Sequence, residues 1–449
     1  MQFYLIKGFM VFKSVLPLSA ILSLRFFGLF LVLPVLGAYA LELDGATPFL
    51  IGVIVGGYAL TQAIFQVPFG TMSDKIGRKP TLLVGLLIFL VGSIVCAISS
   101  DIYTLMIGRF LQGVGAIGAV IPAMISDLVS EESRGKAMAL MGGSIAISFA
   151  AAMALGPVIA AKGGLSILFW ITAVLAILSM IILFTKVPTP PKISHIYHSS
   201  TTTKDILSDK NLLNMIIING MQKGLMTIAF VLIPVVLTQS EYGFNWEKSE
   251  LWKIYIPALV AGLIAMGPAA VFGEKYNKPR EIFLGSIVLF LASFAMMGFS
   301  SSSWVFVIGG VFFFMAFNMM EPLVQSMISK FAKVHQKGAA LGIANGFAYL
   351  MTFIGGIIAG LALEFSTLHN LTIALVIVSA IWLIWTFKMS NPLRYAHLYV
   401  DKNEVDMDKL KALESEHIAE WYINETENVV AIKYQKEMFE ADELKAKIC

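Results

Sequence analysis

Long apolar runs separated by short polar turns fill the chain from about residue 15 to residue 388. A membrane-spanning helix needs about 20 mainly apolar residues. Runs of that kind fall at 15–41, 47–72, 80–99, 102–129, 135–160, 164–187, 211–239, 250–272, 280–300, 303–330, 337–363 and 368–388. The pattern therefore predicts twelve spans, several long enough to tilt or project from the bilayer. Ala38-Tyr39-Ala40 mimics a signal-peptidase site. The run around it is too long and too far from the N-terminus for a signal sequence, so it reads as an uncleaved first helix.

Beyond residue 390 the pattern changes. Asp, Glu and Lys become frequent and no run is long enough to span. His397–Asp401 reads as a strand and Val405–Glu416 as a helix. Ile418–Ile423 and Val429–Tyr434 read as strands around a turn at Glu425-Thr426-Glu427-Asn428, and Phe439–Lys447 as a second helix. The order β-α-β-β-α predicts a small α+β ferredoxin-like domain without its last strand; the alternative is a solvated tail with helical fragments. So short a domain has a marginal core by itself. It is expected to dock on the membrane body or on another copy of itself.

Composition agrees with the pattern. The chain is 57% hydrophobic and only 14% charged, with mean hydropathy +0.80, against about 25% charged in soluble domains. This excludes a soluble globular protein. Two cysteines, Cys96 and Cys449, exclude a disulfide framework. The net charge of +3 matters less than where the charges sit. Basic residues crowd the N-terminus and every second loop, among them Lys7, Lys13, Lys75, Arg78, Lys79, Arg134, Lys192, Lys278, Lys333 and Arg394. The opposite loops hold only Lys162, Lys248 and Lys253. Positive charge marks the cytoplasmic side, so both termini are expected there and the number of spans is even.

The chain also repeats. Phe30-Leu31-Val32-Leu33-Pro34-Val35 returns as Phe230-Val231-Leu232-Ile233-Pro234-Val235, and Met124-Ile125-Ser126 as Met327-Ile328-Ser329. The charged turn Gly70…Pro80 has a worn echo in Gly273-Glu274-Lys275-Tyr276-Asn277-Lys278-Pro279. Three matches in one order imply two six-helix halves related by an axis along the membrane normal. Residues 1–187 and 211–390 are the halves, 188–210 the linker between them, and 391–449 the small domain.

Ionisable groups inside spans are costly and mark function. Here they are Arg25, Arg109, Lys223 and Glu321, with Asp127 near the inner end of its span. Glu321 shares a helix face with Asn318 and Gln325 and precedes Pro322. A carboxyl that moves between an apolar setting and a cationic neighbour takes up and releases a proton. Glu321 therefore reads either as a proton carrier or as one member of a fixed pair, with Lys223 the candidate partner. Arg25 reads equally as a functional cation or as a side chain snorkelling to the surface. Tyr58, Gln62 and Gln66 form a polar stripe expected to face a cavity, which Gln222 and Lys223 would join. With the arginines included, that cavity would be net positive and suited to anionic or amphipathic compounds. His195-x2-His198 lies in the linker without supporting ligands. No metal, cofactor or nucleic acid is expected, and no Walker loop is present.

Specific motifs go further. Gly70-x3-Asp74-Lys75-x-Gly77-Arg78-Lys79 resembles the signature between the second and third helices of the major facilitator superfamily. Arg109-x2-Gln112-Gly113-x-Gly115-Ala116 resembles its fourth-helix motif, whose arginine is linked to proton coupling. Ala154-Leu155-Gly156-Pro157 resembles the antiporter motif of drug/proton exchangers, although Ala160-Ala161 stands where that motif prefers two glycines. Ser23-Leu24-Arg25, Leu60-Thr61-Gln62-Ala63, Asn318-Met319-Met320-Glu321 and the appended tail resemble the bacterial YajR-type group. The resemblance implies a proton-coupled antiporter of the bacterial inner membrane that exports small amphipathic or drug-like compounds by alternating access. The alternatives are an uptake symporter for a small organic anion and a membrane sensor presenting the tail. Protons, a small-molecule substrate and the lipid bilayer are then the partners, and catalysis is not expected. The family pattern also implies a switch. Asp127 would engage the Asp74/Arg78 turn, and Asp74 would latch onto the start of the eleventh helix near Gly338, where a helix N-terminus favours a carboxylate.

Overall fold

The computed structural model describes residues 2–129, 131–188, 203–332, 337–389, 395–413, 418–424, 428–435 and 438–449. His195, His198, Lys192, Lys333, Arg394 and the turn residues 425–427 lie outside them. The first half is built of α1 (Gln2–Ala40), α2 (Pro48–Ile76), α3 (Arg78–Ala97), α4 (Ile102–Val114), α5 (Val120–Leu128) and α6 (Glu131–Thr185). A short α7 (Thr203–Ser208) leads into the second half, α8 (Lys210–Thr238), α9 (Trp252–Ala270), α10 (Pro279–Phe299), α11 (Ser303–Phe331), α12 (Lys337–Phe365) and α13 (Leu368–Phe387). The polar turns start these helices chemically. The Thr47 hydroxyl accepts from Leu50 N with Pro48 at the first position of α2, and Asp101 accepts from Tyr103 N and Thr104 N to open α4, satisfying otherwise orphaned donors.

Among the described residues, ten helices are long and apolar enough to cross a membrane, against the twelve expected. The fifth and sixth runs join in α6, which departs from helical geometry at Gly163 and at Gly164, where φ is +67°. The fourth run is broken. Helix α4 stops at Val114 and α5 begins at Val120. A Cβ on Gly115 would stand 2.4 Å from the Gly85 carbonyl oxygen, so backbone contact with α3 occupies the space where a regular helix would carry side chains. Helix α1 also runs further than expected, from Gln2.

The halves touch at the end of the bundle remote from the termini. There the Gly52 backbone meets Gly356 so closely that a Cβ would fall 2.0 Å from its carbonyl oxygen, and Gly56 and Gly360 make similar approaches to Phe353 and Phe49. Glu364 accepts from Phe49 N at 2.8 Å, and Lys248 pairs with Glu42 across the same end. At the other end the helices part. Gly70, Gly142, Gly143, Gly338, Gly342 and Gly346 have no neighbour within 4 Å of where a Cβ would stand. The described contacts between the halves therefore gather at one end, and Lys223 and Glu321, partly exposed, face the space between the helices, referred to as the cavity.

The C-terminal region forms β1 (Tyr395–Asp401), α14 (Met407–Leu413), β2 (Ile418–Asn424), β3 (Val429–Gln435) and α15 (Ala441–Ile448). The sheet order is β1-β3-β2 with both pairings antiparallel. Val400, Val430, Ile432 and Tyr434 pack on one face with Leu410, Leu444 and Ile448 from the helices. Alternation sends Ala431 and Lys433 to the other face, yet both are buried. Lys433 Nζ donates to the carbonyl oxygens of Lys330 and Ala332, at 3.0 and 3.3 Å. The sheet is thus seated on the C-terminal end of α11, where a cation is favoured by unpaired helix carbonyls.

Candidate translocation site

Glu321 lies on α11 and Lys223 on α8, so the second half builds this site between two of its own helices. Lys223 Nζ reaches Glu321 Oε1 and Oε2 at 2.8 and 2.7 Å. Gln222 Nε2 adds a third bond to Oε2 at 3.0 Å and one to the Phe317 carbonyl at 3.0 Å. The Glu321 side chain is 39% exposed and Lys223 22%, so the pair stands on the cavity wall. Lys223 Nζ also lies 4.9 Å from the Phe317 ring centre. Phe317 continues through Phe149 and Phe30 to Phe26, with ring centres 6.1, 5.0 and 5.4 Å apart. That row of rings joins the two halves beside the ion pair. Pro322 does not interrupt α11. Asn318 and Gln325 do not join Glu321. Asn318 turns to the Phe314 carbonyl and packs on Gly262 of α9, while Gln325 bonds Asn345 of α12 at 3.2 Å. Asn318 and Gln325, seven residues apart, stand on the same flank of α11, and each takes a partner other than Glu321.

The first half holds its cations differently. Arg109 is fully buried. Its Nε donates to the Ile54 carbonyl at 3.2 Å, its Nη1 to Gln112 at 2.8 Å, and its guanidinium sits 4.7 Å from the Tyr58 ring centre. Gln112 in turn donates to Ser93 at 3.0 Å. Arg109 and Glu321 therefore belong to separate clusters in different halves. Arg25 is 1% exposed, which removes the snorkelling alternative; it bonds Gln62 at 3.2 Å. Tyr58 and Gln62 are buried with it and only Gln66 is partly exposed. The polar stripe thus faces arginines in helix contacts, not the open cavity. With both arginines withdrawn, the expected net positive cavity reduces to the balanced Lys223–Glu321 pair.

Two glycines set the close contacts of this half. A Cβ on Gly113 would fall 1.9 Å from the Tyr58 carbonyl oxygen, and one on Gly156 would fall 2.3 Å from that of Leu31. Gly156 and Pro157 lie in α6 against Pro34 of α1.

At the open end, Arg78 bonds Asp74 at 2.6 Å and Asp127 at 2.8 Å, across the turn where Gly77 takes φ +100°. Asp74 is 65% exposed and paired with Arg78. Among the described residues nothing lies within 4 Å of where a Gly338 Cβ would stand; residues 333–336, just before α12, lie outside them. The second half carries a pair that sequence reasoning missed, Glu274 with Lys330. Its signal was present: Lys330 follows Met327-Ile328-Ser329 just as Asp127 follows Met124-Ile125-Ser126. Tyr349, Asn345 and Lys433 were also missed, because nothing in their local sequence separates them from ordinary helix or strand residues.

Two six-helix bundles around a one-sided cavity, with an intramembrane ion pair on its wall, define a secondary transporter. The major facilitator superfamily model matches residues 18–273 and 252–423, and the chain belongs to that family; it is a transporter and not an enzyme. The chain is 34% identical over 428 residues to the inner membrane transport protein YajR of Escherichia coli K12, covering 93% of this chain and 92% of that one. It is 25% identical over 363 residues to the quinolone resistance protein NorA of Staphylococcus aureus MRSA252, covering 78% and 89%. Among solved structures it matches a bacterial homologue of the human lysosomal transporter Spinster in its inward-facing, occupied conformation, with TM-score 0.66, 14% identity and 84% and 96% coverage. That likeness concerns the fold alone.

Proposed function

We propose that this protein is a proton-coupled antiporter that exports small amphipathic compounds by alternating access. In this reading α4–α5 is one broken span and α6 is two, so the chain makes twelve crossings of a bacterial inner membrane and both termini share one side; the basic loops mark that side as cytoplasmic. The open mouth is then cytoplasmic. The observation that carries the reading is the Lys223–Glu321 pair, partly exposed at the cavity and beside the aromatic row. A proton neutralising Glu321 releases Lys223, so protonation and the state of the cavity are linked. Arg109, with Gln112, supports the fourth helix against α2 and positions the first half. Arg78, Asp74, Asp127, Gly70 and Gly77 act as the switch at the cytoplasmic face, with the latch to α12 formed when that face closes. The tail is a ferredoxin-like regulatory domain seated on α11. The likeness to a quinolone resistance protein supports export. The direction of flux in everted vesicles separates an exporter from an uptake symporter. The deciding experiment is pH-gradient-driven flux in proteoliposomes, where Glu321→Gln is expected to lose coupling. A Glu321→Gln protein running at the wild-type rate overturns the proposal.

A further inference from the structure

Arg25 is one of the largest side chains fully enclosed in the protein. Among the described residues its one hydrogen bond is to Gln62, and its Nε and Nη1 have no acceptor. The Phe26 and Phe89 rings lie 5.7 and 5.3 Å from its guanidinium carbon. No carboxylate among the described residues pairs with it. A guanidinium does not shed its proton in proteins, and a buried charge without a counter-ion costs several kcal/mol. Arg109 is less exposed to this difficulty, since only its Nη2 lacks a partner. Arg25 therefore sits in a place that holds a cation and supplies no anion for it.

The surroundings add a second observation. Gln62 Nε2 and the Tyr349 hydroxyl both border Gly118, at 3.4 and 3.9 Å from where a Cβ would stand. Gly118 belongs to the unwound stretch between α4 and α5. Broken helices in transporters mark the place where substrates and ions bind, near the meeting of the halves. Tyr349 comes from α12 of the second half, and Gln66, one turn of α2 further toward the open mouth, is partly exposed. The guanidinium is thus enclosed beside Gln62 of the first half, which borders Gly118 together with Tyr349 of the second.

We propose that Arg25, with Gln62 and Tyr349, forms a binding site for a compact monovalent anion. The anion is either the carboxylate end of the transported compound or a free halide; both accept hydrogen bonds from the unpaired N–H groups and neutralise the charge. The site rests on the transport reading for its route of entry, but its occupancy is an equilibrium property measurable without transport.

The test uses the purified full-length protein in detergent and halide-free Hepes buffer, with melting temperature read against sodium chloride and, separately, sodium benzoate. A saturable upward shift is expected with at least one. A shift with chloride assigns the site to a free ion, and a shift with benzoate alone assigns it to a substrate carboxylate. Arg25→Gln is expected to lose the shift. Gln62→Glu keeps the test decisive if that variant does not fold. It sets a carboxylate against Arg25, so it is expected to melt above the wild type in anion-free buffer and to ignore both salts. No shift in the wild type, or a shift retained by Gln62→Glu, overturns the site. If Glu321→Gln transports normally while the Arg25-dependent shift is present, the antiport reading fails and the anion site stands.

Discussion

The two halves share short sequence repeats and treat charge in different ways. The first half encloses Arg25 and Arg109 in helix contacts with amides, rings and a backbone carbonyl as neighbours. The second half places Lys223 against Glu321 where the cavity reaches both. At the ends that carry the Arg78 turn and its echo the contrast becomes an inversion. A cation of the turn, Arg78, meets an anion at the end of α5, Asp127; in the second half an anion near the turn, Glu274, meets a cation at the end of α11, Lys330. Coulomb attraction is unchanged when both signs are exchanged. The repeat has therefore kept the position of the pair while its polarity reversed. What differs is burial: Arg78 and Asp127 side chains are 17% and 10% exposed, against 34% and 39% for Lys330 and Glu274.

The contrast can be broken most sharply at the cavity. Lys223→Met leaves Glu321 with Gln222 alone. Flux is expected to fall by an order of magnitude or more, on the scale of a lost proton-transfer group, and stability by about 1.5–3 kcal/mol, the range for hydrogen bonds to charged groups. Adding Glu321→Gln should restore the melting temperature without restoring flux; recovery of both would make the pair structural. A smaller effect is expected at the tail. Lys433→Met removes both bonds to the end of α11 and should release the domain to limited proteolysis while the membrane body stays intact. Unchanged protease resistance would show that the seat does not depend on Lys433.

The inverted pairs give the next test. Arg78→Gln should lower the melting temperature more than Glu274→Gln, since exposed pairs contribute at most about 1 kcal/mol and the first is the better enclosed. Equal effects would remove the distinction between the halves at this face. The smallest effect is a pH dependence in the tail. Backbone N–H groups of Lys409 and Asp408, together with the Lys409 charge, hold the Asp406 carboxyl below its ordinary value. Its contribution to α14 is therefore complete above the usual aspartate value of about 3.9 and is lost as pH falls through the lower folded value. Proteolytic release of the tail across a descending pH series checks this; release that begins near neutrality would assign it to another group.

Much of the architecture was legible before any coordinates. The apolar runs located every long helix, and the alternating stretches after residue 390 gave the order of strands and helices in the tail. The broken α4–α5 was not legible, because its cause is the approach of Gly85 on a different helix. The site was half legible. Lone charges in apolar runs identified Arg25, Arg109, Lys223 and Glu321, and Lys223 was the candidate partner of Glu321, but the sequence left open whether that pair forms. Distance chose Lys223 on α8 and placed Arg109 in the other half.

By itself, the sequence determined which segments lie in the bilayer and which residues are too polar to be there without a reason, since hydropathy and helical periodicity are local properties of the chain. Only the tertiary structure decided which of those residues meet, which mouth of the cavity is open, and that Lys433 holds the tail on α11. Those contacts join residues as far as 315 positions apart. They are set by how helices and sheet pack, and no local pattern encodes that packing.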